Sequence, residues 1–534
     1  MIPLLLTTML ACGGPGDDTG GGPPRPLRPI ESEFDPPDTV VVIVVDTLAR
    51  RMLTPWQPDG WDTSPNLAAL FDDATLLPDT QATRGLTSVA VSSIASGTYP
   101  RIHGVRDNRD WKSPWNPILS EMFQEHGYTT LGYASNTCQF IDRGIDERFC
   151  TWSWETDDYD SQAGRDQALI TRLSDSLRSH PADEKLFIWL HLINPHDPFV
   201  AEPQWYDEFH PDVYDGPLVP SNTDLLDQWI LEGRELTEED KRHLDAVYAS
   251  QIKELDRQLG DLFATLQEVG RWDDGVILFT ADHGEELGEH NNYFFHGCSV
   301  YQQTLQVVSA IRAPGRLPRG VRFDTTISAT DLAPTLSRIT GIGWEGYRDG
   351  EDLTDDILAG AITPHPAYFE RGLGTAGVVS DHHRYLLDIN EGTDECKPYE
   401  IGGRFVNDYE ELYDQDLDPG EQTNLAGDDP DTLAALRDLT CTWVTSDVWY
   451  SPSADRTHPM VTTCEDVLGI VEPDAASSGC ATAPGRRAPW APLLAALGLL
   501  ATTRRRPRPR VPEPPLSPST PAGSAIPGWP RRWA

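Results

Sequence analysis

The sequence predicts an α/β fold, a doubly wound and mostly parallel sheet sandwiched by helices, followed by a smaller C-terminal α+β domain. Continuous apolar and β-branched runs, of which Val40–Val45 is the first, indicate strands covered on both faces, as in parallel sheets. These runs alternate with amphipathic helical patterns, and such alternation is typical of βαβ units. Because ligands bind beyond the carboxyl ends of the strands in such sheets, polar residues at strand ends are candidates for a site.

The predicted elements follow one another in a regular order. The first strand ends at Asp46, and Ser64 with Pro65 begins the first helix. Thr87 begins a second helix, which Gly97 closes. The remaining predicted elements of the large domain are a helix, turn and strand over 119–136, a helix over 166–179, a buried strand over 185–192, a long amphipathic helix over 245–270 and a strand at Val276–Thr280.

Four segments are predicted along the chain. Residues 1–37 hold a signal and a Gly/Pro-rich tether, and residues 38–345 form the large domain. After about residue 345 the patterns shorten, so residues 346–470 are predicted to form the small domain and residues 471–534 a tail. The elements predicted in the small domain are short alternating strands within 377–390 and 404–415 and a helix over 429–444.

Both ends of the chain predict export. The run MIPLLLTTMLAC is typical of a bacterial lipoprotein signal ending at Cys12, although a frayed apolar N-terminus is the alternative. Near the other end, the apolar run 488–501 is too short for a comfortable transmembrane helix and precedes an Arg cluster, as in C-terminal sorting tails. We therefore expect a protein at the cell envelope or outside the cell, attached to the membrane through a lipid anchor or its C-terminal segment.

The composition limits the class of partner. The chain has 534 residues, enough for a large core and more than one domain, and its 42 basic and 84 acidic residues give a net charge of −42. This charge argues against nucleic acid and against anionic membrane surfaces as partners. A local basic or metal-bearing pocket is still able to receive an anion.

The cysteines predict disulfides and not a zinc knuckle. Apart from Cys12 and Cys480, six cysteines remain, and no two of them form a CxxC pair. An even number in an exported chain favours disulfide bonds. The nearest neighbours in sequence are Cys138 with Cys150 and Cys441 with Cys464, while Cys298 and Cys396 stand apart; the spacing does not fix the pairing.

Polar residues from distant parts of the chain follow the predicted strands. Asp46, His196 and Asp282 lie just past strand ends, and His283 adjoins Asp282. Two carboxylates and an imidazole predict a site for one divalent ion, Mg, Mn, Ca or Zn. The alternative is that each Asp only caps the helix that follows it.

Thr87 is the candidate nucleophile. At the first turn of a helix, free N–H groups and the helix dipole favour an anion. A metal ion beside the hydroxyl would lower its pKa and favour an alkoxide. Taken from the helix start alone, a simple N-cap is the alternative reading of this threonine.

An ordered set of motifs carries a family resemblance. VVVIVVDTLAR, SPNLAAL, SGTYPRIHGVRDN, INPHDPF, FTADHGEELGEH and ELYDQDLDPGEQTNLA occur in this order between about Asp38 and Leu439. The set resembles the sulfatase family of the alkaline phosphatase superfamily. The resemblance implies an alkaline phosphatase-like α/β sandwich with a smaller C-terminal domain. It also implies metal ligands at Asp46, Asp282 and His283.

The resemblance implies roles for further residues. Thr87 falls where the family has its nucleophile, and His196 matches the histidine that holds the oxygens of the ester and assists the leaving group. His296 lies where many members have Lys or His. Two more residues, which the family pattern puts at the rim of the pocket, are His103 and Arg106. His191 is expected to be structural.

Two departures from the family pattern constrain the chemistry. Sulfatases carry Cys or Ser in a C/S-x-P-x-R pattern that is oxidised to formylglycine, whereas residues 87–91 read TSVAV. Threonine cannot become that aldehyde, so an ester on Thr87 has to be released by a second in-line attack of water. Thr47 also stands where the family has a second acidic residue.

These departures favour a phosphate or phosphonate ester over a sulfate ester, on a small molecule or linked to a glycan or lipid. Related enzymes with a threonine nucleophile include phosphodiesterases and transferases, so transfer of a phosphoryl group is an alternative to hydrolysis. A non-catalytic envelope protein on the same scaffold is another alternative. The presence of Asp46, His196, Asp282 and His283 favours catalysis.

Overall fold

A computed structural model of the protein describes residues 29–108, 110, 117–135, 145–154, 161–218, 236–291, 293–371, 375–388 and 410–445. The chain divides into two units, Met1–Pro473 and Asp474–Ala534, and the described residues all belong to the first. The predicted signal at Cys12 and the predicted tail 471–534 lie outside the described residues, as do Cys138, Cys396 and Cys464.

A nine-stranded sheet forms the centre of the fold, and a two-stranded ribbon lies beside it. The strands up to residue 328 are β1 (Thr39–Val45), β2 (Thr75–Gln81), β3 (Thr129–Ala134), β4 (Thr151–Trp154), β5 (Leu186–Leu192), β6 (Val276–Ala281), β7 (Glu286–Leu287), β8 (Tyr293–Phe295), β9 (Gln306–Arg312), β10 (Val321–Arg322) and β11 (Ile327–Ser328). In the sheet their order is β10-β2-β9-β6-β1-β5-β3-β4, with β11 also paired to β2, while β7 and β8 form the ribbon.

The sheet is mostly parallel, as predicted. β9 runs antiparallel to its neighbours β2 and β6, and the other pairs are parallel. β1 lies in the middle, between β5 and β6, and all seven of its residues are buried. Its side chains alternate between two cores, with Val41 and Ile43 in one and Val42 and Val44 in the other. An uninterrupted run of valine and isoleucine fits this position because both faces of the strand are covered.

Helices cover both faces of the sheet. Their bounds are α1 (Pro65–Asp72), α2 (Thr87–Ser96), α3 (Pro100–His103), α4 (Leu119–Glu125), α5 (Gln162–Ser179), α6 (Pro203–Phe209), α7 (Glu238–Glu268), α8 (Gln302–Leu305), α9 (Leu332–Ile339), α10 (Thr354–Ala359) and α11 (Pro430–Thr445). α1, α5 and α7 pack on one face and α2, α4 and α9 on the other, so the predicted doubly wound sandwich is confirmed. Among the helices of the described residues, none combines the length and apolar character needed to cross a membrane.

Two central strands, β2 and β9, were not predicted from the sequence. β2 contains Pro78, and its pairing with β9 shifts between Leu77 and Thr80. Proline has no N–H to donate to the hydrogen bonds of a sheet. A segment that contains proline is therefore predicted as a turn more readily than as a strand. In β9 the apolar run is broken by Ser309, whose hydroxyl lies 2.8 Å from Thr280 Oγ1 on β6.

A second, antiparallel sheet follows. Its strands β12 (Ala367–Arg371), β13 (Thr375–Ser380), β14 (His383–Asp388) and β15 (Glu410–Asp414) pair in this order, and α11 packs on it. Asp381 and His382 both have positive φ, 50° and 60°, and make the tight turn between β13 and β14. The short strands and the helix predicted for the small domain are thus confirmed.

The described residues include a segment before the predicted boundary at residue 38. The backbone of Ile30 pairs with that of Trp344 in both directions, at 2.9 and 3.0 Å, and Glu33 forms an ion pair with Arg338. The last residues assigned to the tether therefore pack against the large domain, because they include apolar side chains such as Phe34.

Two of the described cysteines bear on the predicted disulfides. Cys298 is disulfide-bonded, in line with the expectation of disulfides. Cys150 is exposed and forms no disulfide, so within the described part of the chain the neighbour pairing of Cys138 with Cys150 finds no support.

One buried side chain connects the two sheets. Arg384 on β14 is fully buried, and its guanidinium donates to Glu421 Oε1 at 2.7 Å and to Gln81 Oε1 at 2.8 Å. It also donates to the carbonyl of Val300 at 3.3 Å. Gln81 is the last residue of β2, so Arg384 joins the small sheet to the central sheet.

We predict that Arg384→Met lowers the free energy of unfolding by about 3–5 kcal/mol, because it leaves the buried Glu421 carboxylate without its cation. Urea denaturation of both proteins measures the difference. Arg319→Met is the control: Arg319 is largely exposed, and its ion pair with Asp73 should contribute less than about 1 kcal/mol. Equal effects of the two substitutions would contradict this role for Arg384.

Candidate active site

The candidate site lies where three parallel strands end. β5, β1 and β6 are neighbours, and the ladder continues past their ends: Asp46 N donates to Leu192 O at 2.9 Å, and Asp282 N donates to Val45 O at 3.1 Å. Parallel neighbours end at the same edge of a sheet, so the two aspartates come together there. The structure therefore brings together the two carboxylates that were predicted to share a site.

Two imidazoles complete this cluster. His283 Nε2 lies 3.8 Å from Asp46 Oδ1 and 3.6 Å from Asp282 Oδ2, and all three side chains are fully buried. His191 projects from β5, with Nε2 at 4.0 Å from Asp282 Oδ2. The ligand atoms of Asp46, His191 and Asp282 lie within 4.8 Å of one another, a spacing that suits a metal ion. His191, expected to be structural, is thus a further candidate ligand.

The donor set fits a divalent cation. Within the described chain, the buried atoms Asp282 Oδ2 and Thr47 Oγ1 have no hydrogen-bond partner. Burial raises the pKa of Asp282 to about 7 and lowers the pKa of His283 to about 4. Burial also lowers the pKa of His191 to about 3. The two imidazoles of this donor set are neutral and do not offset the charge of its two carboxylates, whereas a divalent cation would.

The backbone around these ligands is held in unusual conformations. Thr47 has φ 54°, which is uncommon for a β-branched residue, and its N–H donates to Asp282 Oδ1 at 3.1 Å. The Tyr248 hydroxyl donates to the carbonyl of Thr47 and accepts from Ala49 N. After His283 the chain passes so close to Gln303 that a Cβ on Gly284 would collide with the Gln303 carbonyl.

Thr87 is directed at this cluster. It is the first residue of α2 and is buried, and the N-cap position belongs to Leu86, so the N-cap alternative for Thr87 is wrong. Its Oγ1 lies 3.4 and 3.3 Å from the two carboxylate oxygens of Asp46 and 3.4 Å from His283 Nε2. The hydroxyl therefore lies beside two of the predicted metal ligands.

Asn108 is a residue of the site that the sequence analysis missed. Its Oδ1 accepts a hydrogen bond from the backbone N–H of Ser88 at 3.1 Å. It thereby satisfies one of the free N–H groups at the start of α2 that were expected to face an anion. The signal was present in the HGVRDN motif, but the motif does not show that its asparagine points back to the helix.

Two histidines flank the cluster. The ring of His296 lies 5.2 Å from that of His196 and 4.8 Å from that of His283. His196 Nδ1 is 2.7 Å from Asp197 Oδ1, and His296 Nδ1 is 3.0 Å from Glu285 Oε2. The structure therefore places His296 next to both His196 and the predicted ligand His283.

The two histidines differ in charge. Burial lowers the pKa of His196, but Asp46 and Asp197 outweigh it and raise the pKa to about 10, so His196 is an imidazolium at neutral pH. Burial and then the charge of His196 lower the pKa of His296 to about 4. The two neighbouring rings thus differ in protonation, with the proton on His196 and a neutral ring at His296.

An aromatic stack fixes the loops that carry these histidines. Phe199 follows His196 by three residues and Phe294 precedes His296 by two. The rings of Phe199 and Phe294 stack with centroids 3.7 Å apart, and the ring of Tyr248 lies 6.2 Å from that of Phe199. Packing of this kind limits rotation of the loops and sets the separation of the two imidazoles.

His103 is not a residue of the pocket rim, contrary to the prediction. It is fully buried, its Nδ1 accepts from Val105 N at 3.1 Å, and its Nε2 lies 3.0 Å from Ser93 Oγ. Both ring nitrogens therefore bond within the fold, and the histidine fixes α2 against the HGVRDN segment.

Arg106 is half-buried and joins two parts of the chain. Its Nε lies 3.3 Å from Glu370 Oε1 on β12, so it connects the HGVRDN segment to the small sheet. Its side chain thus bonds to the Glu370 carboxylate. Among the described residues, its hydrogen-bond partners include none of the predicted metal ligands.

Comparisons with known proteins identify relatives of the chain. The family model of the sulfatases matches residues 38–342, more than half of the chain. Choline-sulfatase of Rhizobium meliloti (strain 1021) is 26% identical over 457 residues, which cover 75% of this chain and 85% of that protein.

Solved structures share the fold. One, bound to its substrate D-glucosamine-2-N,6-O-disulfate, has a TM-score of 0.60 at 16% identity and covers 76% of this chain and 97% of that chain. The phosphonate monoester hydrolase of Agrobacterium radiobacter has a TM-score of 0.58 at 21% identity, with coverages of 75% and 96%. At these identities the likeness concerns the fold, which is the alkaline phosphatase-like sandwich.

We predict that Asp282→Asn weakens binding of the divalent ion by about 100-fold or more, since loss even of an outer partner costs 10–100-fold. Elemental analysis after dialysis measures the occupancy. Asp79→Asn is the control, because Asp79 is also buried but bonds to Gln81 and Gln306, at 2.7 and 2.6 Å, away from the cluster. Full metal occupancy in the Asp282 variant would overturn the ligand assignment.

Proposed function

Since the chain belongs to the sulfatase family, we propose that it is a metal-dependent hydrolase of ester bonds whose covalent intermediate forms on Thr87. One observation carries the proposal: Thr87 Oγ1 lies at the start of α2, 3.3 Å from Asp46 Oδ2 and 3.4 Å from His283 Nε2. A hydroxyl beside metal ligands and at the positive end of a helix is suited to attack an anionic ester.

Asp46, Asp282 and His283, with His191 beside them, would hold the divalent ion: Ca, Mg, Mn or Zn. Bound there, the ion would supply Lewis acidity and lower the pKa of a neighbouring hydroxyl. His196, as an imidazolium, would bind an ester oxygen and donate a proton. His296 lies next to it and would contact the same group of oxygens.

The proposed reaction has two displacements. In the first, Thr87 Oγ bonds to the phosphorus, its proton passes toward Asp46, and the bond to the leaving oxygen breaks. That oxygen takes a proton from His196. In the second, water attacks the ester on Thr87 while the neutral His196 accepts a proton from the water. The bond from phosphorus to Thr87 Oγ then breaks, and Asp46 returns the proton to Thr87 Oγ, which restores the site.

The nucleophile favours phosphate or phosphonate esters as substrates. A formylglycine hydrate expels sulfate by collapsing to its aldehyde, but the sequence TSVAV offers no such route. A phosphoryl-threonine can be hydrolysed by in-line attack of water. The named relatives include both a sulfatase and a phosphonate monoester hydrolase, so the scaffold serves both kinds of ester. The substrate would be a small molecule, or a group on a glycan or lipid.

A screen of the purified protein tests the substrate class. With nitrophenyl sulfate, phosphate, phosphodiester and phosphonate monoester, we expect the highest kcat/KM on one of the three phosphorus esters. The sulfate ester should be hydrolysed more slowly by about tenfold or more, because a sulfate ester on threonine cannot be released by collapse to an aldehyde. A tenfold difference in rate corresponds to about 1.4 kcal/mol in the activation free energy. Turnover of the sulfate ester alone would overturn the preference.

Thr87→Ala tests the nucleophile. It should lower kcat by roughly 10³-fold or more, as for loss of a covalent nucleophile, while Ser88→Ala should cost less than about tenfold. The next residue on a helix points about 100° away, so Ser88 is the matched control. Acid quenching during turnover should leave the phosphoryl group on the peptide that contains Thr87. A label on Ser88, or near-full activity of Thr87→Ala, contradicts the mechanism.

Export to the cell envelope is proposed from the sequence around Cys12 and the apolar run 488–501. Fractionation of the producing cells should recover the protein with membranes, and mass spectrometry should show a lipid on Cys12 or loss of the C-terminal tail. Full-length, unlipidated protein in the cytosol would count against this proposal.

A further inference from the structure

Glu285 is a fully buried carboxyl group that follows the proposed ligand His283 by two residues and is itself neither a proposed ligand nor a proton donor. Its two oxygens lie 3.2 and 3.0 Å from His296 Nδ1. No other residue of the described chain forms a hydrogen bond with its side chain. A carboxyl group removed from water with a single polar partner is costly, and such arrangements occur mainly at functional sites.

The ribbon explains why these two residues meet. β7 and β8 are antiparallel, with Glu286 opposite Phe295. Antiparallel strands run in opposite directions, so the residue before Glu286 lies opposite the residue after Phe295. These two residues are Glu285 and His296. Gly284 N also donates to Thr304 O at 2.7 Å, which fixes the chain just before Glu285. The contact is therefore set by backbone pairing.

The orientation of the His296 ring follows from this contact. Its Nδ1 edge faces the buried Glu285, and the side chain is about one-fifth exposed, at 20%. Nε2, on the other side of the ring, is turned away from Glu285. The rings of His283 and His196 lie 4.8 and 5.2 Å away, so His296 stands between a proposed metal ligand and the proposed proton donor.

We propose that Glu285 is a positioning residue: by accepting a hydrogen bond from His296 Nδ1–H, it fixes the rotation and tautomer of that ring and presents Nε2 to the ester. A carboxylate does the same for the histidine of other hydrolytic sites. Both carboxyl oxygens of Glu285 lie within 3.2 Å of Nδ1, a geometry that suits acceptance of one hydrogen bond from Nδ1–H. The presentation of Nε2 to an ester rests on the proposed function. The predicted tautomer of His296 does not depend on that function.

The neighbouring Glu286 provides a matched control. It is also fully buried, but its carboxylate accepts a hydrogen bond from Ser299 Oγ and lies 3.9 Å from His290 Nδ1. Glu286→Gln therefore makes the same chemical change one residue away. We expect it to leave the His296 tautomer unchanged and to lower kcat less than Glu285→Gln does.

The first measurement does not depend on activity. Long-range proton–nitrogen spectra of the full chain labelled with ¹⁵N-histidine report which ring nitrogen carries the proton, and His296→Ala assigns the signal. We expect a single Nδ1–H tautomer in the wild type and a mixture in Glu285→Gln, because an amide can donate or accept. The same single tautomer in Glu285→Gln would overturn the proposal.

The second measurement is a double-mutant cycle. Glu285→Gln should lower kcat by about 10–100-fold with metal content unchanged, as for loss of a residue that orients another. In the His296→Ala background, Glu285→Gln should lower kcat by less than about twofold, since Glu285 acts through the His296 ring. An equal loss in both backgrounds would indicate a structural role and overturn the proposal. If Thr87→Ala retains activity, the proposed mechanism fails, while the spectra still decide the role of Glu285.

Discussion

The site depends on the burial of two carboxylates, Asp46 and Asp282, at the ends of adjacent parallel strands. Backbone hydrogen bonds that continue the ladder beyond Val45 and Leu192 hold both residues in place. Neither side chain reaches water, and the nearest imidazoles are neutral. Like charges in a buried setting repel strongly, and a cation bound by both carboxylates would relieve that repulsion. The positive φ of Thr47 and the close passage of the chain at Gly284 lie directly beside these two residues in sequence.

Much of this arrangement could be predicted, because it follows from hydrophobic runs and from the residues that end them. The strands that carry Asp46 and Asp282 are buried on both faces, and such strands read clearly in a sequence. His191 could not be predicted in the same way, since it lies inside an apolar strand and its direction depends on the register with β1 and β3. β2 was missed because Pro78 obscures a central strand.

The side-chain contacts around the site were harder to predict than the identity of the residues that form it. A motif gives the identity of a residue but not the direction of its side chain, and so HGVRDN suggested a rim histidine where the structure has a buried one. The same limit applies to Asn108, which turns back to Ser88, and to Glu285, which meets His296 through the pairing of a short ribbon. These contacts depend on turns and register, and both are tertiary properties.

The charge of the whole chain and the charge of the site act on different scales. A net charge of −42 repels an anionic ester at long range, but salt screens exposed charges within about 8–10 Å. Inside the pocket, screening is weak, and the imidazolium of His196 and the proposed cation would act directly on a bound ester. Thr47, a neutral residue at a position where the family pattern is acidic, leaves the pocket with one negative charge fewer. Repulsion of an ester with more than one negative charge is thereby reduced, in keeping with the proposed phosphoryl chemistry.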